Sequence, residues 1–177
     1  MKALVVVDYQ VDFVNGALGF AGAEKLEPII LDKIDECRRN GGQVIFTLDT
    51  HGENYLETSE GKLLPIPHCI EGTAGHALCG KVADAVREED IVIKKPSFGS
   101  LELADLLKKC GFDEVELCGL VTDICVISNA VIAKAALPES RITVDSRACA
   151  CADPAAHKRA LEVMRGVQIN VIWEQST

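Results

Sequence analysis

The chain has 177 residues, of which 48% are apolar and 25% are charged, and both values are typical of one soluble globular domain. Acidic residues outnumber basic ones by 27 to 18, which gives a formal net charge of −9. Such a surface repels nucleic-acid phosphates and anionic lipid, so the composition excludes these partners together with disordered, coiled-coil and collagenous chains. We therefore expect a single domain over residues 1–177.

Six short runs of β-branched and apolar residues predict six strands. The runs are nearly continuous in apolar character, which is typical of strands buried on both faces of a parallel sheet. Longer stretches between them space their apolar residues as helices do and end at glycine or before proline. The predicted strands are residues 4–7, 43–48, 91–93, 115–118, 142–144 and 168–173. The predicted helices are residues 26–40, 73–88, 101–110 and 123–136, and a last helix that Asp153 and Pro154 begin.

This alternation of strand and helix predicts a doubly wound α/β domain with a six-stranded parallel sheet and helices on both faces. Two stretches interrupt it, a glycine-rich loop at 15–23 and a 24-residue connection at 49–72. Open α/β sheets bind ligands beyond the carboxyl ends of their strands, where both loops lie. The glycines of the first loop do not form a GxGxxG motif, and the chain has no P-loop lysine motif, so nucleotide binding is disfavoured.

The eight cysteines raise the question of disulfides. The chain is too long for a disulfide-stapled mini-protein, and the five apolar residues at 3–7 are too few for an export signal. No run reaches the length of a membrane helix, and no CxxC pair is present. We therefore expect reduced thiols that pack as small apolar groups in the cytoplasm, with one exception.

Two charged residues follow predicted strands and are candidates for chemistry. Asp8 comes directly after the first strand, and Lys95 after the third. Lys94 competes with Lys95, because neighbouring strand residues point to opposite faces of the sheet. Taken alone, each of these residues is better interpreted as an exposed strand end, so neither is a site on its own.

Cys125 is the exceptional cysteine, because it follows the predicted fourth strand where a helix starts. Thr122 or Asp123 is the expected N-cap, which places the thiol in the first helical turn. Free backbone N–H groups and the positive helix end are expected to lower its pKa from about 8.5 toward neutrality. The same N–H groups could hold an oxyanion. A buried core cysteine is the alternative interpretation.

Taken together, these strand ends can meet in one crevice of a doubly wound sheet. A thiol nucleophile, a carboxylate that moves protons and a fixed cation then form a hydrolytic set. No histidine lies near Cys125 in sequence, and His76 and His157 fall on predicted helices, where surface or packing positions are expected. Asp8 is therefore the better candidate for the base.

The long connection carries residues that could bind a metal. In extended backbone, Asp49 and His51 point to one face, and two imidazoles with carboxylates suit Zn²⁺, Mn²⁺ or Fe²⁺. Glu60 and His68 lie in the same connection, with Glu57 as an alternative to Glu60. From the residues alone, a solvated polar loop is the favoured interpretation.

Five motifs resemble those of the isochorismatase-like cysteine hydrolases, in the family's order and over nearly the whole chain, with nicotinamidases as the nearest branch. They are VVVDYQVDF at 5–13, DTH at 49–51, PHCIEGT at 67–73, KPSFGS at 95–100 and GLVTDICV at 119–126. The resemblance implies the six-stranded parallel fold and a catalytic triad of Asp8, Lys95 and Cys125. It also implies a cis peptide between Leu120 and Val121, with the N–H groups of Val121 and Cys125 as the oxyanion hole.

The resemblance further implies a divalent metal, Zn, Mn or Fe, and a small amide substrate. Nicotinamide, converted to nicotinate and ammonia in NAD salvage, is the expected substrate, with pyrazinamide also accepted. Another small amide, such as a carbamoyl or ureido compound, is the alternative, whereas isochorismate hydrolysis in this family uses no nucleophilic cysteine. The implied metal ligands are Asp49, His51, Glu60 and His68.

Phe13, Phe98 and Ile124 are candidates for the substrate pocket. Phe98 stands where the family often has a tyrosine, and Ile124 where some relatives have an aromatic residue or histidine. These two departures leave the identity of the substrate less constrained than the chemistry. Apolar residues at 127–137 would suit a contact between two copies of the chain, so a homo-oligomer is a further expectation.

Overall fold

In the computed structural model, which describes residues 1–173, six strands form one parallel sheet. The strands are β1 (Lys2–Val7), β2 (Gln43–Asp49), β3 (Ile91–Lys95), β4 (Glu114–Leu120), β5 (Arg141–Ala150) and β6 (Asn170–Ile172). Their order is β3-β2-β1-β4-β5-β6, and every neighbouring pair runs parallel. Successive strands therefore lie on both sides of β1, β2 and β3 on one side and β4 to β6 on the other. This order confirms the predicted doubly wound α/β fold.

Helices cover both faces of this sheet. Alternate residues of β1 enter two separate apolar clusters. Val5 and Val7 face the helices at Leu101–Cys110, Ile127–Ala136 and Pro154–Gly166, and Leu4 and Val6 face the helix at Leu26–Arg39. The helices are α1 (Val11–Val14), α2 (Leu26–Arg39), α3 (Ser59–Leu63), α4 (Gly80–Asp84), α5 (Leu101–Cys110), α6 (Ile127–Ala136) and α7 (Pro154–Gly166). Single 3₁₀ turns lie at Ala23–Lys25, Tyr55–Glu57 and Ala74–His76, and a π-helical turn lies at Thr122–Val126.

The prediction of one helix over residues 73–88 is wrong. In its place the structure has the Ala74–His76 turn, an extended segment and the short helix α4. The extended segment pairs with the chain after β1, since the Cys79 N–H donates to the Tyr9 carbonyl and the Val11 N–H donates to the Ala77 carbonyl. These bonds satisfy the backbone in an extended form, and the positive φ of Gly80 separates the segment from α4.

The last two strands differ from their predicted lengths. β5 extends well beyond residues 142–144, because a register shift after Leu117 lets its second half pair with the end of β4. β6 is shorter than residues 168–173, and the positive φ of Gln168 lies just before it. At the start of α7, the Asp153 carboxylate accepts a hydrogen bond from the Ala155 N–H, which confirms the predicted N-cap.

All eight cysteines of the chain lie within residues 1–173 and are free thiols. Six of them are buried, and for the five other than Cys125 the expected role as small packing groups is confirmed. Cys110 is exposed and Cys151 is half-buried, so these two thiols depart from that expectation. Among the described residues, no helix combines the length and the apolar character that crossing a membrane requires.

An ion-pair cluster lies on the α2 side of the sheet and includes Lys2, the first residue of β1. Lys33 Nζ is 2.6 Å from Glu116 Oε1 and 2.8 Å from the fully buried Asp145 Oδ2. Lys2 also pairs with Glu116, and Arg147 with Asp145. Burial opposes ionisation of Asp145, but hydrogen bonds from Arg147 and Lys33 outweigh burial and lower its pKa to about 2.

We expect Lys33→Met to lower the free energy of unfolding at neutral pH by about 2–4 kcal/mol, because it leaves a buried carboxylate with fewer cations. The pKa of Asp145 is lower in the folded chain than its ordinary value of about 4, so its stabilisation exists above pH 4 and is lost toward pH 2. The difference between variant and wild type should therefore shrink over that range in urea unfolding. Lys158→Met, which removes an exposed pair with Glu162, should cost less than about 1 kcal/mol. A large loss for Lys33→Met that does not change with pH would contradict this account.

Candidate active site

Asp8 is placed by the end of β1 and by its neighbour β2. Its backbone has a positive φ of 45°, which is rare outside glycine and typical of functional sites. The Asp8 N–H donates to the Thr47 carbonyl at 3.1 Å, and the Thr47 hydroxyl donates to Asp8 Oδ1 at 2.6 Å. Both side chains are fully buried, so the carboxylate has one fixed orientation.

Lys95 ends β3 and reaches the same point. Its side chain is buried, with Nζ 2.7 Å from Asp8 Oδ2 and 3.6 Å from Cys125 Sγ, and it donates to the Ser97 carbonyl at 2.9 Å. Lys94 points the other way and pairs with Glu71 on the surface. The structure thus selects Lys95 over Lys94.

Cys125 lies in the π-helical turn that joins β4 to α6. In this turn the Val126 N–H donates to the Val121 carbonyl at 3.1 Å, and Cys125 is 4% exposed. The residue before the turn is Val121, and no side chain caps it, so the prediction of Thr122 or Asp123 as the N-cap is wrong. The Leu120–Val121 peptide bond is cis, as the family resemblance implied.

The expectation that the helix start lowers the pKa of Cys125 is also wrong for this structure. Burial is the largest effect and raises the thiol pKa, and the carboxylates of Asp8 and Asp49 add to it, although Lys95 opposes them. Burial also raises the pKa of Asp8 against the charge of Lys95. Burial disfavours the Lys95 cation too, but Asp8 raises its pKa above the ordinary value. The arrangement is a protonated thiol beside a proton acceptor and a fixed cation.

A second cluster adjoins the first. One oxygen or imidazole nitrogen from each of four side chains lies within 4.8 Å of the others, and all four are at least partly buried. Among these atoms, His51 Nε2 is 3.0 Å from Asp49 Oδ2, and His68 Nε2 is 3.6 Å from Glu60 Oε1. The members are Asp49, His51, Glu60 and His68.

Local structure fixes the orientation of these side chains. His68 Nδ1 lies 2.8 Å from the Ile66 carbonyl, which leaves Nε2 to face the cluster. Glu60 lies in the first turn of α3, where the Thr58 hydroxyl accepts a hydrogen bond from the Gly61 N–H. Glu57 is exposed and outside the cluster. Two imidazole nitrogens and two carboxylates fit Zn²⁺, Mn²⁺ or Fe²⁺, so these residues are suited to a divalent metal.

Asp49 belongs to both clusters. Its Oδ1 accepts a hydrogen bond from Lys95 Nζ at 3.2 Å, while its Oδ2 faces the two imidazoles. Burial opposes its ionisation, but hydrogen bonds with His51 and His68 and the charge of Lys95 hold its pKa well below the usual range. An ionised Asp49 therefore connects the triad residues to the candidate metal ligands.

The predicted pocket residues line two adjoining cavities beside these clusters. Phe13 and Val121 line a cavity of about 280 Å³, and Phe98 and Glu60 line one of about 400 Å³. Ile124 contributes to both cavities, as does Leu64. Their walls are mainly apolar, which suits a small planar ring.

Several supporting residues were not predicted from the sequence. The buried Gln10 donates to the Asp49 carbonyl at 2.9 Å and accepts from the Asp49 N–H at 2.8 Å. Asn129 donates to the carbonyls of Cys125 and Phe98. Gln10 lies between Asp8 and Asp12, and Asn129 follows Ser128, so the sequence has no signal that sets either residue apart.

The two histidines expected at surface or packing positions have contacts near the site. His76 is buried in its 3₁₀ turn, with Nε2 2.8 Å from Thr50 Oγ1, between the two ligand positions 49 and 51. His157 lies on α7, as predicted, with Nδ1 2.8 Å from Thr122 Oγ1. Each histidine therefore contacts the hydroxyl of a threonine that lies beside site residues in the chain.

We expect Glu60→Gln to weaken Zn²⁺ binding at least about 10-fold, because the cluster loses a carboxylate charge. Glu57→Gln is the matched control and should bind Zn²⁺ as the wild type does, since Glu57 is exposed outside the cluster. Competition with a chromophoric chelator measures both affinities. The opposite pattern, with only Glu57→Gln weakened, would identify Glu57 as the ligand.

The chain resembles known proteins over nearly its whole length. The family model of the isochorismatase domain matches residues 2–175. An uncharacterised isochorismatase family protein of Bacillus subtilis, PncA, is 33% identical over 90% of this chain and 92% of its own. The nicotinamidase/pyrazinamidase of Mycobacterium tuberculosis is 29% identical over 97% of this chain and 98% of its own. The crystal structure of a Pyrococcus horikoshii pyrazinamidase in complex with zinc superposes with a TM-score of 0.85, at 28% identity over 98% of this chain and 99% of that one.

Proposed function

The chain belongs to the isochorismatase family, and we propose that within it the chain is a nicotinamidase that converts nicotinamide to nicotinate and ammonia and also accepts pyrazinamide. The relatives named nicotinamidase or pyrazinamidase support this amide substrate. One observation carries the proposal: Asp8, Lys95 and Cys125 meet beside a candidate metal cluster, and Asp49 is shared by both. The site thus combines a triad that can cleave an amide bond with ligands for a metal that can bind a ring nitrogen.

The first half of the proposed reaction forms a thioester. Asp8 takes the proton of the Cys125 thiol, and the sulfur forms a bond to the amide carbonyl carbon. The N–H groups of Val121 and Cys125 stabilise the resulting oxyanion, at about 2.7–4 kcal/mol per donor in comparable sites. The carbon–nitrogen bond then breaks, and the proton on Asp8 moves to the leaving nitrogen, which departs as ammonia.

The second half restores the enzyme. Asp8, ionised again, takes a proton from a water molecule whose oxygen bonds to the thioester carbonyl carbon. The carbon–sulfur bond breaks, the carboxylic acid leaves, and Asp8 returns its proton to the sulfur of Cys125. Lys95 stays charged throughout and stabilises whichever of the two partners is anionic.

The binding groups orient the substrate for this attack. A divalent metal held by Asp49, His51, Glu60 and His68 would act as a Lewis acid toward the pyridine or pyrazine nitrogen. Phe13 and Ile124 form apolar walls against the ring faces. A carbamoyl or ureido substrate has no ring nitrogen for such a metal, so the candidate ligand cluster favours nicotinamide over that alternative.

Ammonia release from nicotinamide by the zinc- or manganese-loaded protein tests this proposal. We expect release to fall to the no-enzyme rate after a chelator removes the metal and to return when the metal is restored. Activity on nicotinamide that no chelator changes would refute the metal's role. Activity only on carbamoyl or ureido compounds would show that these compounds, and not nicotinamide, are the substrates. Cytoplasmic location, a role in NAD salvage and a homo-oligomeric state remain predictions.

A further inference from the structure

The turn that carries Cys125 is joined to the last helix by a hydrogen bond. Thr122 Oγ1 lies 2.8 Å from His157 Nδ1, although the two residues are 35 positions apart. Thr122 is fully buried, and His157 is partly buried on α7. Neither side chain belongs to the triad, the candidate metal ligands or the two cavities beside them. The proposed reaction therefore leaves this contact without a role.

The turn is held by backbone hydrogen bonds of its own and by side chains from two helices. Thr122 is its first residue, and Val121 before it has no side chain that could cap the turn. At the other end, Asn129 of α6 donates to the Cys125 carbonyl at 2.8 Å. The contact between Thr122 and His157 is the corresponding restraint at the beginning. The two bonds hold the turn from α7 and from α6.

We propose that His157 is a positioning residue for catalysis and that it acts through the hydroxyl of Thr122. By fixing the start of the turn, it sets the direction of the Val121 and Cys125 N–H groups toward the oxyanion. This inference rests on the proposed function, because only cleavage through Cys125 develops an oxyanion at that place. His157 itself touches neither substrate nor metal in this account.

The inference predicts a specific kinetic pattern. The candidate metal ligands, Phe13 and Phe98 lie on other elements, and the turn itself adds mainly the side chain of Ile124 to the pocket walls, so losing the contact should leave most of the substrate contacts in place. The N–H groups act on a charge that is present only in the transition state and the tetrahedral intermediate. Removing their positioning should therefore lower kcat and leave KM unchanged.

Steady-state kinetics on the metal-loaded enzyme test this pattern. We expect His157→Leu and Thr122→Val each to lower kcat about 10–100-fold with KM within about twofold, since small misplacements of catalytic groups have effects of that size. The double variant should be no slower than the slower single variant, because both changes remove one contact. His157→Asn and Thr122→Ser, which keep a polar partner, should retain kcat within a few-fold.

Three results would overturn the inference: unchanged kcat in His157→Leu, a raised KM with unchanged kcat, or multiplied losses in the double variant. Thr122→Val is nearly isosteric, and its kcat and KM test the same contact if leucine at position 157 prevents folding. Wild-type ammonia release judges the proposed function separately. If the wild type releases none, the rate of hydrogen exchange at the backbone N–H groups of residues 122–126 decides. Exchange should become faster in His157→Leu, because the start of the turn loses a restraint, and an unchanged rate would overturn the inference.

Discussion

Replacing Cys125 with alanine should lower kcat for nicotinamide by at least about 10⁴-fold, in line with the loss of nucleophiles in other covalent hydrolases. Without the sulfur no thioester forms, and the N–H groups and the metal cannot supply the missing bond. Measurement of ammonia release at saturating substrate gives kcat for variant and wild type.

Cys149→Ala is the matched control for this prediction. Cys149 is also 4% exposed and belongs to the same apolar cluster as Cys125, so both variants create a similar small cavity. The control should retain nearly full activity, and both variants should bind Zn²⁺ and unfold much as the wild type does. Ammonia release at a normal rate by Cys125→Ala would refute the covalent mechanism.

Replacing Asp8 with asparagine should lower kcat by about 10²–10⁴-fold, the usual contribution of a general acid and base. Asparagine keeps the size of the side chain and can still accept the Thr47 hydrogen bond, but it cannot take the thiol proton. The dependence of kcat/KM on pH is a second test of the role of Asp8. Burial raises the pKa of Asp8, so wild-type kcat/KM should fall on the acid side with a midpoint above about 4.

The variant's residual activity should lack that acid limb, because the group responsible no longer titrates. Asp145→Asn changes an equally buried, lysine-paired carboxylate outside the site and should lower stability while kcat and the acid limb persist. An Asp8→Asn enzyme with the same acid limb as the wild type would assign the limb to another group.

Much of the site could be predicted because its residues lie where strands end. Asp8, Asp49 and Lys95 follow or end continuous apolar runs, and a parallel sheet brings such ends to one edge. The residues at 73–88 alone could not show that residues 77–79 pair with residues 9–11. Their apolar spacing therefore predicted a helix. Tertiary hydrogen bonds overrode local propensity there.

The thiol pKa shows the same limit. Position at a helix start is visible in the sequence and favours the thiolate, but burial and the approach of Asp8 exist only in the folded chain. Gln10 and Asn129 were missed for a related reason. Their partners at Asp49 and Phe98 are 39 and 31 residues away, and one sequence gives no sign of such contacts.

Mass spectrometry of the acid-quenched reaction tests the covalent role of Cys125 most directly. Metal-loaded enzyme, mixed briefly with excess nicotinamide and quenched, should carry one pyridine-3-carbonyl group on the peptide that contains residue 125. The group should be absent from Cys125→Ala and should disappear when the quench follows exhaustion of the substrate. Steady ammonia release with every sulfur unmodified at all times, or with the acyl group on another residue, would contradict the account.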